Sequence, residues 1–233
     1  MAVDLAAAWS SVVGREPAGE DCWARLIRRW SEPHLRYHGM GHLMAVLLFV
    51  DEYATHADDP DAVRLAAWYH DAIYDPRAGD NEEHSAVLAE SELPALGQSR
   101  ERVAEVVRLV RLTADHDPAE GDRNGELLND ADLLVLASPP EAYVAYVNAI
   151  RAEYGHVPDD AFRAGRVAVL DGLLAAPRLY RLQALTTLEA AARRNLAAEL
   201  SLLRPGSTEG GQAGAAEADA DQPAEGRQEP PAR

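Results

Sequence analysis

The sequence predicts an all-α fold, on three observations. Alanine and leucine dominate the composition and aromatic residues make up only 6% of it, which favours helices over sheets. No stretch shows the alternating β-branched pattern that demands a strand. Turn and cap residues, such as the acidic cluster 58–61, precede the apolar segments. We therefore predict one helical domain over residues 1–203.

The helices can be placed in chain order from their caps and breaks. Asp4 can cap a first helix, and residues 21–30 form a second. A Pro/Gly-rich stretch, 32–41, interrupts the pattern before His42 opens a buried helix that continues to Val50. The cluster 58–61 caps the helix that carries His70 and Asp71. Further helices are expected at about 81–92, 99–113, 125–136, 140–154, 159–174 and 179–203.

The C-terminal residues 204–233 differ from the rest of the chain. They are rich in Gly, Ala, Pro, Glu and Gln, and they carry no apolar periodicity. Such a composition cannot bury enough apolar surface to offset the entropy of ordering. We predict a disordered acidic tail.

The charge of the chain excludes several classes of partner and cofactor. The formal net charge is -17, so we expect no nucleic-acid polymer as a partner. All 22 basic residues are arginine. Without lysine, Schiff-base catalysis, pyridoxal phosphate and the P-loop lysine are excluded.

The cysteine count and the hydropathy pattern indicate a compartment. A single cysteine, Cys22, excludes an internal disulfide and Cys-rich metal sites, which fits a reducing environment. No apolar run is long enough to span a bilayer, and the N-terminus lacks the pattern of a signal peptide. We expect a soluble cytoplasmic protein that does not act on membranes.

The dipeptide His70-Asp71 points to a metal site. Both side chains stand in an apolar, helix-compatible segment, where they must be paired, hydrogen-bonded or metal-bound. His42 and either Asp130 or Asp132 complete a His/His-Asp/Asp set. Residues two apart on a helix point about 200° apart, so only one of these two aspartates can face the ion. Imidazole with carboxylate suits Mn, Fe, Ni, Co or Zn.

Seven short segments carry a family resemblance, namely 36–42, 67–74, 80–83, 113–116, 129–133, 151–154 and 165–166. Together they resemble the HD-domain superfamily of metal-dependent phosphohydrolases, more narrowly a bacterial branch of predicted HD-superfamily hydrolases. The resemblance runs from the first helix to about residue 203 and leaves out the tail. It implies a single compact HD-domain-like bundle with the metal between helices.

The resemblance also implies a ligand set. The metal ligands would be His42, His70, Asp71 and Asp132. His42 is preferred to His38 because it starts the helix that precedes the His-Asp helix. Asp132 is preferred to Asp130 because it follows an alanine and precedes an apolar residue. Both alternatives stay open on the sequence alone.

The activity implied is hydrolysis of a small phosphorylated metabolite, with a nucleotide as the preferred class. Asp71, with Glu82 as an alternative, would position the attacking water. The residues expected to contact the substrate are Arg36, His38, His116, Arg151 and Arg166, the arginines because their guanidinium groups clamp phosphate. His116 is also a candidate ligand of a second metal.

Two other functions are compatible with the same residues. One is a di-iron oxygenase of the HD fold, which needs extra histidine ligands such as His116 and His38. The other is a non-catalytic, metal-stabilised module that binds a nucleotide. A homodimer is left open as the assembly.

Overall fold

A computed structural model of the protein describes residues 4–204. Ten α-helices make up this part of the chain: α1 Leu5–Val13, α2 Pro17–Trp30, α3 Met40–Glu52, α4 Pro60–Tyr69, α5 Asn81–Glu92, α6 Arg100–Leu112, α7 Arg123–Asp132, α8 Pro140–Glu153, α9 Asp159–Ala175 and α10 Thr186–Leu203. No strand occurs within the described residues, so the predicted all-α fold is confirmed. The predicted disordered tail lies outside them, apart from Arg204.

Two of the helix starts follow the predicted capping chemistry. The Asp4 carboxylate accepts a hydrogen bond from the backbone N–H of Ala7 at 3.0 Å. The Asp59 carboxylate does the same for Ala62 at 3.1 Å, at the start of α4. Each bond satisfies a donor that has no partner within the first turn of a helix. The caps predicted at Asp4 and in the cluster 58–61 are confirmed.

The last helix begins later than predicted. The sequence predicts a helix from residue 179, but α10 starts at Thr186. The backbone N–H groups of Leu179 and Tyr180 donate instead to the Glu189 carboxylate at 3.1 to 3.2 Å. The Glu189 carboxylate therefore satisfies backbone donors of the segment before α10. This segment is non-helical up to the short 3₁₀ turn Gln183–Leu185.

The helix predicted to contain His70 and Asp71 ends before them. α4 ends at Tyr69, and the N–H of Ala72 closes a turn on the Tyr69 carbonyl at 3.0 Å. The His70 ring nitrogen Nδ1 donates to the Ala67 carbonyl at 2.8 Å. In a continuing helix that carbonyl would accept the N–H of Asp71. The imidazole therefore occupies the acceptor that a longer helix would use.

Tryptophan side chains join the N-terminal helices to α4 in the core. Trp9, Trp30 and Trp68 are buried, and the Trp9 and Trp68 rings meet edge to face at 5.3 Å between centroids. Trp30 Nε1 donates to the Trp68 carbonyl at 2.9 Å. Cys22 is a free buried thiol in the same core. On the other side of α4, helices α3, α4 and α7 contact one another, which sets up the site.

Among the described residues, no single helix is long and apolar enough to cross a membrane. One pair, Arg123–Ala137 with Pro140–Glu153, meets the criterion together by length and composition, with a bend of 105° between the two parts.

Candidate metal centre

Three helices bring two imidazoles and one carboxylate to a single point. His42 lies in the first turn of α3, His70 directly follows α4, and Asp132 is the last residue of α7. The two histidine Nε2 atoms are 3.0 Å apart. Asp132 Oδ1 lies 3.0 Å from His42 Nε2 and 3.8 Å from His70 Nε2. One ligand atom from each residue lies within 4.8 Å of the other two, so this group could hold a metal ion.

Asp71 reaches the same point from the turn after α4. Its Oδ2 lies 3.3 Å from His70 Nε2 and 3.7 Å from His42 Nε2. The side chain is buried like the two imidazoles. Asp71 therefore lies beside both histidines, although the group of three that could hold a metal does not include it.

The spacing of these atoms fits a transition metal. Ligand atoms about 2.1 Å from one ion, at angles of 90 to 110°, lie about 3.0 to 3.4 Å from each other. The N–N distance and the shortest N–O distances of the cluster fall at or near that range. Two nitrogen and two carboxylate donors suit Mn, Fe, Ni, Co or Zn. The donor set therefore fits the predicted metal.

The hydrogen bond of His70 sets its tautomer for metal binding. Because a carbonyl oxygen only accepts, Nδ1 must carry the proton in the bond to Ala67. In the neutral ring the lone pair is then on Nε2, which faces His42 and Asp132. A backbone carbonyl behind a ligating imidazole is a usual way to orient it.

Asp132 is held in its charged form. Burial opposes its ionisation, but the neighbouring charge of His70 and the hydrogen bond and charge of His42 outweigh that cost. The pKa of Asp132 therefore lies well below its ordinary value. A carboxylate that is ionised at neutral pH is ready to bind a cation.

Asp130 lies on the other side of α7 and has a different task. Its carboxylate accepts the backbone N–H of Arg181 at 2.8 Å and that of Leu182 at 2.7 Å, and Asn129 donates to it at 3.0 Å. Burial raises its pKa. Asp130 thus anchors the segment before α10, and only Asp132 faces the histidines.

Glu153, at the end of α8, holds the loop that leads into α3. Its Oε1 accepts three consecutive backbone N–H groups, from Arg36 at 2.7 Å, Tyr37 at 2.8 Å and His38 at 3.0 Å. Its Oε2 accepts the Nδ1–H of His38 at 2.7 Å. The side chain is buried. One carboxylate therefore fixes both the backbone before α3 and the ring of His38.

Glu153 has no role among those predicted from the sequence. A signal was present, because Glu153 follows Ile150 by three residues on the buried face of α8. A carboxylate on an apolar helix face needs partners. Its partners lie 115 or more positions away in the chain, so spacing alone could not identify them.

The contacts between His38 and Glu153 favour the charged form of each side chain. Burial lowers the pKa of His38. The hydrogen bond to Glu153 and the negative charges of Asp71, Glu153 and Asp132 outweigh burial, so the pKa of His38 is raised. Burial works against the ionised form of Glu153 as well, yet its bonds from His38 and the loop N–H groups lower the pKa of Glu153 to about 2. His38 is thus a fixed hydrogen-bond donor beside the metal ligands, with its ring 6.0 Å from that of His42.

His116 approaches the second oxygen of Asp132. It lies in the turn after α6 with a φ of 52°, the left-handed region that non-glycine residues seldom adopt. Its Nε2 is 3.9 Å from Asp132 Oδ2. Among the described residues its buried Nδ1 finds no hydrogen-bond partner. The backbone strain is of the kind that is kept at functional sites.

A cavity of about 210 Å³ opens over Asp71 and Asp132. We call it the metal cavity. His38, His116 and Glu82 also line it. Glu82 lies in the first turn of α5 and presents a second carboxylate to the space beside Asp71. Three of the non-ligand residues predicted from the sequence are therefore brought to the site.

The three arginines predicted as phosphate clamps are placed elsewhere, and none of them lines the metal cavity. Arg36 Nη1 donates to two carbonyls of its own loop. Arg151 donates to the Asp159 carboxylate at 2.6 Å and to carbonyls of the loop before α9. Arg166 is buried and forms a bidentate pair with Glu199 at 2.7 and 2.9 Å. Each guanidinium is used in holding the fold.

No protein-family model, no curated protein and no solved structure matches the chain. The class that the structure supports is a helical protein with a His/His/Asp group at metal-binding distance. That arrangement is compatible with an HD-like fold.

Proposed function

We propose that this chain is a metal-dependent phosphohydrolase of the HD type that acts on a small phosphorylated metabolite. The observation that carries the proposal is the His42/His70/Asp132 group with Asp71 beside it, next to a cavity that Asp71 and Asp132 line. Imidazole and carboxylate ligands beneath an open space leave room for water and substrate, as in catalytic metal sites.

The four ligands would hold one divalent transition metal. When bound, such an ion polarises a phosphoryl oxygen and lowers the pKa of its water toward neutrality. Asp71 and Glu82 both present carboxylates to the metal cavity, where they can orient a water and accept its proton. Asp71 is preferred because it also touches the ligand imidazoles.

Two histidines would face the phosphoryl group. His38 offers a donor whose charged form is favoured by Glu153. His116 lines the same cavity, and its buried Nδ1 has no hydrogen-bond partner among the described residues. Donors fixed before the reaction stabilise the charge that develops on the phosphoryl oxygens.

The cavity limits the charge and size of the substrate. At about 210 Å³ it suits a single phosphoryl group, and its lining within the described residues contains no arginine. A polyphosphate chain would lack the guanidinium partners that it usually needs. The proposed substrate is therefore a monophosphate ester, with a nucleoside monophosphate as the preferred class.

The experiment is a reconstitution assay. The protein is stripped with a chelator, reloaded with Mn, Fe, Ni, Co or Zn in turn, and tested for phosphate release from a panel of monophosphate esters. We expect turnover with at least one ion. His70→Ala and Asp71→Ala should each abolish both tight metal binding and turnover.

A surface histidine provides the matched control. His84 lies on α5 with 54% of its side chain exposed and makes only a long contact of 3.6 Å with Asp80. His84→Ala should keep full metal content and activity. Turnover that survives in both His70→Ala and Asp71→Ala would refute the assignment of the site. Metal binding without turnover on any ester would instead favour the non-catalytic nucleotide-binding module.

One observation favours the di-iron oxygenase as a second candidate. His116 faces Asp132 Oδ2 while His42 faces Oδ1, so both oxygens of one carboxylate meet histidines. An oxygenase would take up two irons per chain and consume oxygen with a polyol or phosphonate. One metal per chain without oxygen consumption would exclude it.

A further inference from the structure

A second pocket, of about 440 Å³, adjoins the metal cavity. We call it the aromatic pocket. The two spaces share four wall residues, His38, Tyr74, Tyr146 and Val169. The two spaces are therefore neighbours. The aromatic pocket is lined by residues of α8, of α9 and of the turn between them, together with His38 and Tyr74.

Five of the eleven residues that line the aromatic pocket carry planar rings. Tyr154 and Phe162 line it, together with the shared Tyr74. The Tyr74 ring stacks on His38 at 4.0 Å between centroids and 21° between planes. The hydroxyls of Tyr74 and Tyr154 are 3.3 Å apart and hydrogen-bonded, which fixes two walls against each other. Such walls favour a flat apolar ligand.

The charges around the aromatic pocket are already neutralised. Arg166 lines the pocket, but Glu199 takes its guanidinium in a bidentate pair. Arg151 lies over the Phe162 ring at 4.7 Å and is paired with Asp159. Of the described residues that line the pocket, none is a carboxylate. His38, which the two spaces share, is paired with Glu153. Apart from His38, the described lining offers neither an anion nor a cation an unpaired charged partner.

Val169 is an exposed apolar residue at the junction of the two spaces. It belongs to the walls of both spaces, yet 52% of this apolar side chain is exposed. A ligand lying across the junction would cover it. Covering apolar surface at the mouth of a ring-walled pocket stabilises binding of an apolar group.

We infer that the aromatic pocket binds an uncharged planar ring on the leaving group of the substrate, while the phosphoryl group occupies the metal cavity. This inference rests on the proposed function. In the reaction, the water oxygen forms a bond to phosphorus and the ester P–O bond breaks. The leaving oxygen takes up the proton that the water gives up, and the ring departs as an alcohol.

Gly165 provides a variant that fills the pocket without disturbing the fold. It lies on α9 and lines the aromatic pocket, and a Cβ there would meet no atom of the described residues within 4 Å. Gly165→Leu should place its side chain in the ring site and improve helix propensity. Gly172, two turns later on α9, has equally open surroundings and does not line the pocket. Gly172→Leu is the matched control.

The first measurement compares esters with and without a ring. Adenosine 5′-monophosphate and phenyl phosphate carry a ring, and methyl phosphate does not. We expect Gly165→Leu to raise KM for the ring esters by about tenfold or more, and to leave methyl phosphate within about twofold. Gly172→Leu should change neither. Equal effects of Gly165→Leu on all three esters would overturn the inference.

The second measurement separates this inference from the proposed function. Adenosine and phenol, which carry no phosphate, are titrated into metal-free protein by calorimetry. Binding of either ring that Gly165→Leu weakens about tenfold, and Gly172→Leu does not, supports the pocket even if no ester is hydrolysed. Whichever of the two binds identifies the ring as a nucleobase or an aryl group. Ester hydrolysis with no ring preference and no ring binding would keep the function and refute the pocket.

Discussion

The Arg166–Glu199 cluster and the metal centre both bury ionisable groups between helices, but their partners differ. Glu199 receives two bonds from Arg166, at 2.7 and 2.9 Å, and one from the Tyr143 hydroxyl at 2.6 Å. In the metal centre, the two histidine Nε2 atoms lie 3.0 Å apart, with the Asp71 and Asp132 carboxylates beside them. The first cluster is saturated by donors that match its acceptors, and the second gathers four potential metal-ligand atoms.

This difference separates structural charge from functional charge. A buried ion pair that satisfies itself needs no further partner and serves packing. Acceptor atoms that converge require a cation or protons from outside the protein. Burial alone would place Arg166 and His70 in the same category, and only the identity of their partners distinguishes them.

The largest effect should come from breaking the saturated cluster. Arg166→Met leaves the Glu199 carboxylate buried without its partner, so we expect a loss of about 3–5 kcal/mol in the free energy of unfolding. Urea denaturation measures it. Arg163→Met, an exposed position on the same helix, should cost less than about 1 kcal/mol. If Arg166→Met matched that control, the cluster would not be structural.

Metal binding at the metal centre should instead stabilise the fold. At a free ion concentration of one hundred times Kd, a bound metal should raise the unfolding free energy of the wild type by about 2.7 kcal/mol. His42→Ala should abolish this gain, because it removes a ligand. Thermal denaturation with and without the ion measures the difference. An undiminished gain in His42→Ala would remove that residue from the ligand set.

Substitutions of the two aspartates of α7 should have different effects: that of Asp130 on the stability of the fold, and that of Asp132 on metal binding. Asp130→Asn turns an amide toward the N–H groups of Arg181 and Leu182, so we expect a loss of about 1–3 kcal/mol with metal affinity retained. Asp132→Asn should instead weaken metal binding, because it removes a ligand carboxylate. Calorimetric metal titration and urea denaturation of both variants measure the two effects. Lost metal affinity in Asp130→Asn with retained affinity in Asp132→Asn would contradict the assignment.

The smallest effect concerns pH. The lowered pKa of Glu153 stabilises the fold above the ordinary glutamate value, and this contribution is lost as pH falls toward about 2. Between pH 6 and 3.5, the wild type should lose about 1 kcal/mol more than Glu153→Gln. Urea denaturation across that pH range measures the slope. Parallel slopes in the two proteins would show that Glu153 is not held in its charged form.

The sequence was sufficient for those features that depend on local spacing. The helix order follows from caps such as Asp4 and Asp59, and the opposite directions of Asp130 and Asp132 follow from the helical period. The convergence of His42 and His70 needed the family pattern, because 28 residues separate them.

The parts that the sequence could not supply depend on partners distant in the chain. Arg166 was predicted to bind phosphate because arginine suits phosphate, but Glu199, 33 residues later, takes its guanidinium. Glu153 had no predicted role because its partners lie on the loop before α3. The end of α4 was misplaced because a side chain, His70, competes for a backbone acceptor.

The hydrogen bond from His70 to the Ala67 carbonyl has a consequence for motion. Carbonyls in the last turn of a helix lack partners and are where helices fray. Here the imidazole of His70 donates to one of these carbonyls and is also a predicted metal ligand. Local unfolding of the end of α4 would therefore move the ligand away from the metal centre. An ion bound to His70 would therefore oppose local opening at the end of α4, and amide protons there would exchange with solvent more slowly in loaded protein. The exchange rate of these backbone amide protons would therefore measure metal occupancy.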